Sequence, residues 1–131
     1  MNRAKQLQQY LDQQKPFDWD GNNCCHYVAR WIEQLENRNP LATLPPMRSK
    51  ETAYRIIIGF GGWEHTVSQL LARPSVESVW LQTGDAILVD VAPGVKSLGL
   101  VNGRYASCLS EHGVEHMPIP SGSLGWKVAR D

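Results

Sequence analysis

Two adjacent cysteines, Cys24 and Cys25, follow a turn built from Asp20, Gly21, Asn22 and Asn23 and open a run with helical periodicity. Cys24, Tyr27, Val28, Trp31, Ile32 and Leu35 recur at three- and four-residue steps. Cys24 is therefore expected in the first turn of a helix with one buried face. Unsatisfied backbone N–H groups and the positive end of the helix dipole at that place favour a thiolate over a thiol. A thiol so placed is a candidate nucleophile, provided that a base takes its proton or holds it in an ion pair. The competing role is that of a small apolar core residue, since free cysteine is among the most buried residue types.

Histidines are the obvious partners for such a thiol. His26 lies two residues on, turned about 200° around the helix, which makes it the worst placed. His112 and His116 fall on or between the late strands, where their Glu and Gly neighbours also suit plain exposed edge positions. Cys108, His112 and His116 form an evenly spaced set of zinc-preferring types, but the set crosses a predicted hairpin around Gly113 and lacks a fourth ligand unless Cys25 or His26 supplies it. No C-x-x-C motif is present, and no cofactor is indicated. Asp85, after Gly84 at a strand start, suits a turn cap. Trp19, Trp63, Trp80 and Trp126 are expected in the core or lining a cleft.

The elements that must position these groups read as helices first and strands second. A polar helix over residues 2–14 carries a Leu7, Tyr10, Leu11 stripe too narrow for a core, so it should pack outside the domain or on a neighbour. The Cys24 helix should run to about Glu36, where Asn37-Arg-Asn-Pro40 ends it. An extended connector over 41–48 leads to Ser49, a cap for a helix reaching about Phe60, and a short helix over 63–72 is stopped by Pro74. From Val79 the pattern turns to β-rich runs over 86–91, 98–101, 104–109, 114–119 and 124–128, with Asn102-Gly103 as a hairpin signal. The chain of 131 residues thus reads as one α+β domain, with a peripheral helix in 1–16, a helical part in 17–78 and a sheet in 79–131.

Composition narrows the function classes. Thirteen basic and thirteen acidic residues cancel, and no basic run interleaves with aromatics, which argues against a nucleic-acid binder. Zero net charge suits a subunit of an assembly better than a free diffuser. No segment reaches the apolar length of a membrane span or a signal peptide, so the expected place is a cytoplasm or a particle assembled in one. Three cysteines cannot all pair, and reduced thiols are the expectation.

The order Phe17, Trp19, Gly21, Asn23, Cys24 resembles the aromatic-Trp-Gly…Asp-Cys-Ser-Gly signature of the NlpC-type papain-like cell-wall peptidases. It is closer still to small phage-tail-associated proteins that carry Trp-Gly…Asp-Cys-Cys before a helix, with Asn23 in place of the usual Asp and Cys25-His26 in place of Ser-Gly. Thr83-Gly-Asp-Ala-Ile-Leu-Val-Asp90 resembles the first NlpC-type strand. Ser97-Leu-Gly-Leu-Val-Asn-Gly103 resembles the next, which in active members reads His-Val-Gly-Ile-Tyr-x-Gly.

The resemblance implies a papain-like α+β fold, N-terminal helices packed on a small antiparallel sheet, with Cys24 at the nucleophile position and Ser97 where the catalytic His would stand. It implies a phage tail-tip or baseplate-associated structural or assembly protein with a degenerate cysteine-peptidase fold, located in the virion tail. Tail hub or tail-fibre proteins, and peptidoglycan, are the implied partners. Two alternatives stand beside it: an active cysteine endopeptidase or amidase cutting peptidoglycan stem peptides through a thioester, and a small metal- or ligand-binding domain. Without an imidazole at position 97, Cys24 is expected to keep a thiol pKa near the ordinary value of about 8.5.

Overall fold

A computed structural model describes residues 2–128. The described residues form four α-helices followed by a six-stranded antiparallel sheet, an α+β arrangement. The helices are α1 (Arg3–Asp12), α2 (Cys24–Glu36), α3 (Lys50–Gly59) and α4 (Trp63–Leu71). Asn2, Asn23 and Ser49 cap the first three, each accepting a backbone N–H of the first turn that would otherwise lack a partner. None of the helices in the described residues is long and apolar enough to cross a membrane.

The strands are β1 (Val76–Glu77), β2 (Ala86–Ala92), β3 (Val95–Asn102), β4 (Tyr105–Ser110), β5 (Gly113–Pro118) and β6 (Leu124–Trp126), in the spatial order β1-β6-β2-β3-β4-β5. Three consecutive hairpins join β2 to β5. Between β3 and β4 Asn102 pairs with Tyr105, so the turn residues are Gly103 and Arg104, with the glycine supplying the positive φ of 61°. The sheet begins earlier than the β-rich pattern suggests. β1 and a 3-10 turn (Ser78–Trp80) precede β2, and the short β1 is held by pairing with β6.

Alternation along the strands separates two apolar clusters. Ala86, Leu88, Leu98, Leu100 and Leu109 join Tyr27, Trp31 and Ile32 of α2 in the main core. Ile87, Val89, Val101, Ala106 and Cys108 form a second cluster, covered by Leu81, Met117 and Ile119.

Several expectations fail here for identifiable reasons. Helix α1 is not peripheral: Leu7, Tyr10 and Leu11 are all buried in the main core. Its stripe is narrow, but Tyr10 meets two aromatic rings of α2, with centroids 5.9 Å from Tyr27 and 5.3 Å from Trp31, and its hydroxyl donates to the Tyr27 carbonyl at 2.5 Å. Three large residues suffice when the facing surface is aromatic. Trp80 belongs to neither core nor cleft, being 66% exposed on the 3-10 turn. The connector over 41–48 is extended only in its second half, because Ala42 and Leu44 close turns onto Asn39 and Leu41. Strand β6 stops at Trp126, two residues short of the expected end.

Candidate functional site

The loop before α2 is fixed by hydrogen bonds that its polar residues make to its own backbone. Asn22 donates to the carbonyls of Lys15 and Pro16 and accepts from Arg30, which also donates to the Gly21 carbonyl. The Asn23 side-chain oxygen accepts from the backbone N–H groups of Cys25 at 2.8 Å and His26 at 3.2 Å, while its amide nitrogen donates to the Trp19 carbonyl at 3.2 Å. An aspartate could cap the helix equally but could not make that last bond. His26 closes a capping box, its Nδ1 accepting the Asn23 N–H at 3.1 Å. This role occupies His26 at the helix start.

Cys24 and Cys25 line a cavity of about 450 Å3 between the helices and the sheet. Four aromatic rings form one wall: Phe17 and Trp19 meet edge to face at 5.0 Å, Trp19 lies 6.3 Å from Tyr54, and Tyr54 lies 6.5 Å from Trp63. Ser97 and Lys96 of β3, Cys108 of β4 and His116 of β5 line it from the sheet. Lys96 is paired with Asp90 at 3.0 Å, both groups largely exposed. Ser97 is buried and its hydroxyl donates to the Leu98 carbonyl at 3.0 Å.

The electrostatics of the three thiols differ. A hydrogen bond from Cys25 lowers the Cys24 pKa to about 7 against the opposing effect of burial, helped by the Leu98 amide, the Ser97 hydroxyl and the Cys24 amide itself. This departs from the expected ordinary value, because neutral donors beside the sulfur favour the thiolate. Cys25 is pushed well up by the same hydrogen bond, by burial and by the neighbouring charge. Burial, then the nearness of Cys24, raises Cys108 to about 12.

The family described as "Domain of unknown function (DUF6950)" matches residues 1–128. The chain belongs to that family. No curated protein matches it in sequence.

In this DUF6950 domain the remaining candidates are dispersed. His112 sits exposed in the β4–β5 turn, its backbone N–H on the Ser110 hydroxyl at 3.1 Å, and does not line the cavity. His116 is held through Nδ1, 2.7 Å from the hydroxyl of buried Ser107. Cys108 and His116 both line the cavity, but they pair across the ladder with Glu115 and Ser107 rather than with each other, and His112 lies outside it. The cluster Cys108, His112, His116 is therefore not a metal site, and no three His, Cys, Asp or Glu groups among the described residues could hold a metal.

Asp85 lies outside the cavity lining and is fully buried. One carboxylate oxygen accepts the Gln82 N–H at 2.7 Å, as a turn cap does, and the other accepts the Val128 N–H at 2.9 Å, which ties the strand after the turn to the chain beyond β6. Of the lining residues, Lys50 and Tyr54 on α3 escaped the reading of the sequence. Their four-residue spacing, continued by Ile57, marks one helix face, and that was the available signal.

Chemically, the arrangement offers a thiol poised to ionise near neutral pH inside a cavity with an aromatic wall, whose lining also includes Lys50, Lys96, Glu111, Glu115 and His116. The groups that shift its pKa are a second thiol, a hydroxyl and amides, and none of them carries a proton to a leaving amine at neutral pH.

Proposed function

We propose that the domain is a papain-like, NlpC-type fold with Cys24 at the nucleophile position and Ser97 in place of the imidazole, kept as a structural or assembly component of a phage tail tip rather than as a peptidase. One observation carries the reading: Cys24 opens a buried-face helix and shares a cavity with Ser97, whose hydroxyl does not act as a base at neutral pH. Thiol peptidases need a proton carrier twice, to generate the nucleophile and to release the amine. Hydrogen-bond donors supply the first need and leave the second unmet. The resemblance of the Trp19 to Cys24 stretch to small tail-associated proteins supports the place in a particle.

The test of the chemistry is muropeptide release from peptidoglycan by the wild type and by Ser97→His. Little or no release by the first and measurable release by the second supports a lost base; release by the wild type that Cys24→Ala abolishes overturns the reading. The test of the place is the protein composition of purified tails. Particles without the chain refute a structural subunit and leave an assembly factor.

A second reading, an active endopeptidase or amidase on stem peptides, draws on His116, which lines the same cavity with its Nδ1 anchored by Ser107. That reading requires wild-type release to fall at least about a hundredfold in His116→Ala, the usual contribution of a general base.

A further inference from the structure

Cleavage of an amide by a thiol stalls without an acid beside the sulfur, because an amine does not leave as its anion. Around Cys24 stand the Cys25 thiol, the Leu98 amide, the Ser97 hydroxyl and the N–H of Cys24 itself, the next two N–H groups of α2 being taken by Asn23. Such donors stabilise negative charge on sulfur or on a carbonyl oxygen without moving a proton to a leaving group. A thioester makes no demand for an acid. Its leaving group departs as a thiolate, which water tolerates near neutral pH.

The cavity limits what such a donor can look like. Its volume of about 450 Å3 falls within the range of roughly 300–1,000 Å3 common to small-molecule sites. The rings of Phe17, Trp19, Tyr54 and Trp63 form a wall suited to an uncharged chain.

Resting on the reading of Cys24 as a nucleophile without a proton-carrying partner, we infer that Cys24 accepts acyl groups from thioesters with an apolar acyl chain and retains them. The Cys24 proton is first lost to solvent. The thiolate then forms a bond to the carbonyl carbon, the carbon–sulfur bond of the donor breaks, and the departing thiolate keeps the electron pair and takes a proton from water. Nothing is oxidised or reduced. The new thioester persists because its hydrolysis needs a base to activate water, and the Ser97 hydroxyl does not act as one at neutral pH.

The experiment exposes the full chain, near neutral pH, to the octanoyl and the acetyl thioesters of N-acetylcysteamine and follows intact mass. Expected is a single octanoyl adduct, mapped to Cys24, removed by hydroxylamine, absent in Cys24→Ser and retained in Cys108→Ala. The octanoyl donor should react at least about tenfold faster than the acetyl donor, the discrimination that buried methylenes supply. If no adduct forms while iodoacetamide still alkylates Cys24 with a midpoint near pH 7, the inference falls and the reading of the site stands. An adduct on Cys25 or Cys108 overturns it equally. Rapid loss of the Cys24 adduct that His116→Ala prevents would reveal a working base and overturn both the inference and the non-hydrolytic reading.

Discussion

Cys24 owes its acidity to neutral neighbours, and this sets how it should respond to change. Removing the Ser97 hydroxyl takes away a donor to the thiolate, so Ser97→Ala should raise the midpoint of Cys24 alkylation above about 7. Cys25 and Cys108 should stay silent until strongly alkaline pH. The same shift links to stability with a definite sign: a thiol whose folded pKa lies at about 7, below its ordinary value of about 8.5, stabilises the fold above that ordinary value and loses the contribution as pH falls through 7. Unfolding free energy should therefore rise between pH 7 and 9, and Cys24→Ser should flatten that rise. A slope unchanged by the substitution would show that another group carries it. Asp85 illustrates what single-residue reading cannot reach: its turn-capping bond to Gln82 spans three positions, whereas its bond to Val128 spans 43 and appears only when the sheet is assembled. Asp85→Ala should cost about 3 kcal/mol in denaturant unfolding, since two N–H groups lose a buried charged acceptor.

The elements were the most legible level, because caps and periodicity are local. The bounds of α2 and the Ser49 cap of α3 follow from residues within one turn of each helix end. Asn23→Ala removes a cap that serves two N–H groups and the tie to Trp19, and should cost about 1–2 kcal/mol. Strand β1 was not legible, for a two-residue strand has no period and exists through its pairing with β6. Gly99 shows how tightly two strands meet beside the thiols. A Cβ there would lie 2.6 Å from the Cys108 sulfur and 3.1 Å from the Ser107 carbonyl oxygen. Gly99→Ala should destabilise by about 1–3 kcal/mol, and adding Cys108→Ala should recover part of the loss because the sulfur is the closer obstacle. Strict additivity of the two would mean that the carbonyl contact dominates.

For the whole molecule, the position of α1 matters most. Its narrow stripe suggested a surface offered to a partner, yet Leu7, Tyr10 and Leu11 belong to the main core, so the stripe gives no support to an assembly role. Deleting residues 1–13 should accordingly leave a chain without a cooperative thermal transition, because Tyr27 and Trp31 would lose the aromatic surface that covers them. A shortened chain that still melts cooperatively would place α1 outside the folding unit.

The place of β6 between β1 and β2 also sets an order in time. As the chain leaves the ribosome, β2 to β5 can zip as three successive hairpins, but the free side of β2 stays open until residues 124–126 emerge. The same arrival brings Trp126 to the Ser68 hydroxyl and the Val128 N–H to Asp85. Until then the nascent domain carries a bare strand rich in Ile, Leu and Val, the kind of edge that pairs with other chains. Synthesis stalled after β5 should yield a protease-sensitive, chaperone-bound intermediate, and the few residues of β6 would act as the latch that ends its exposure.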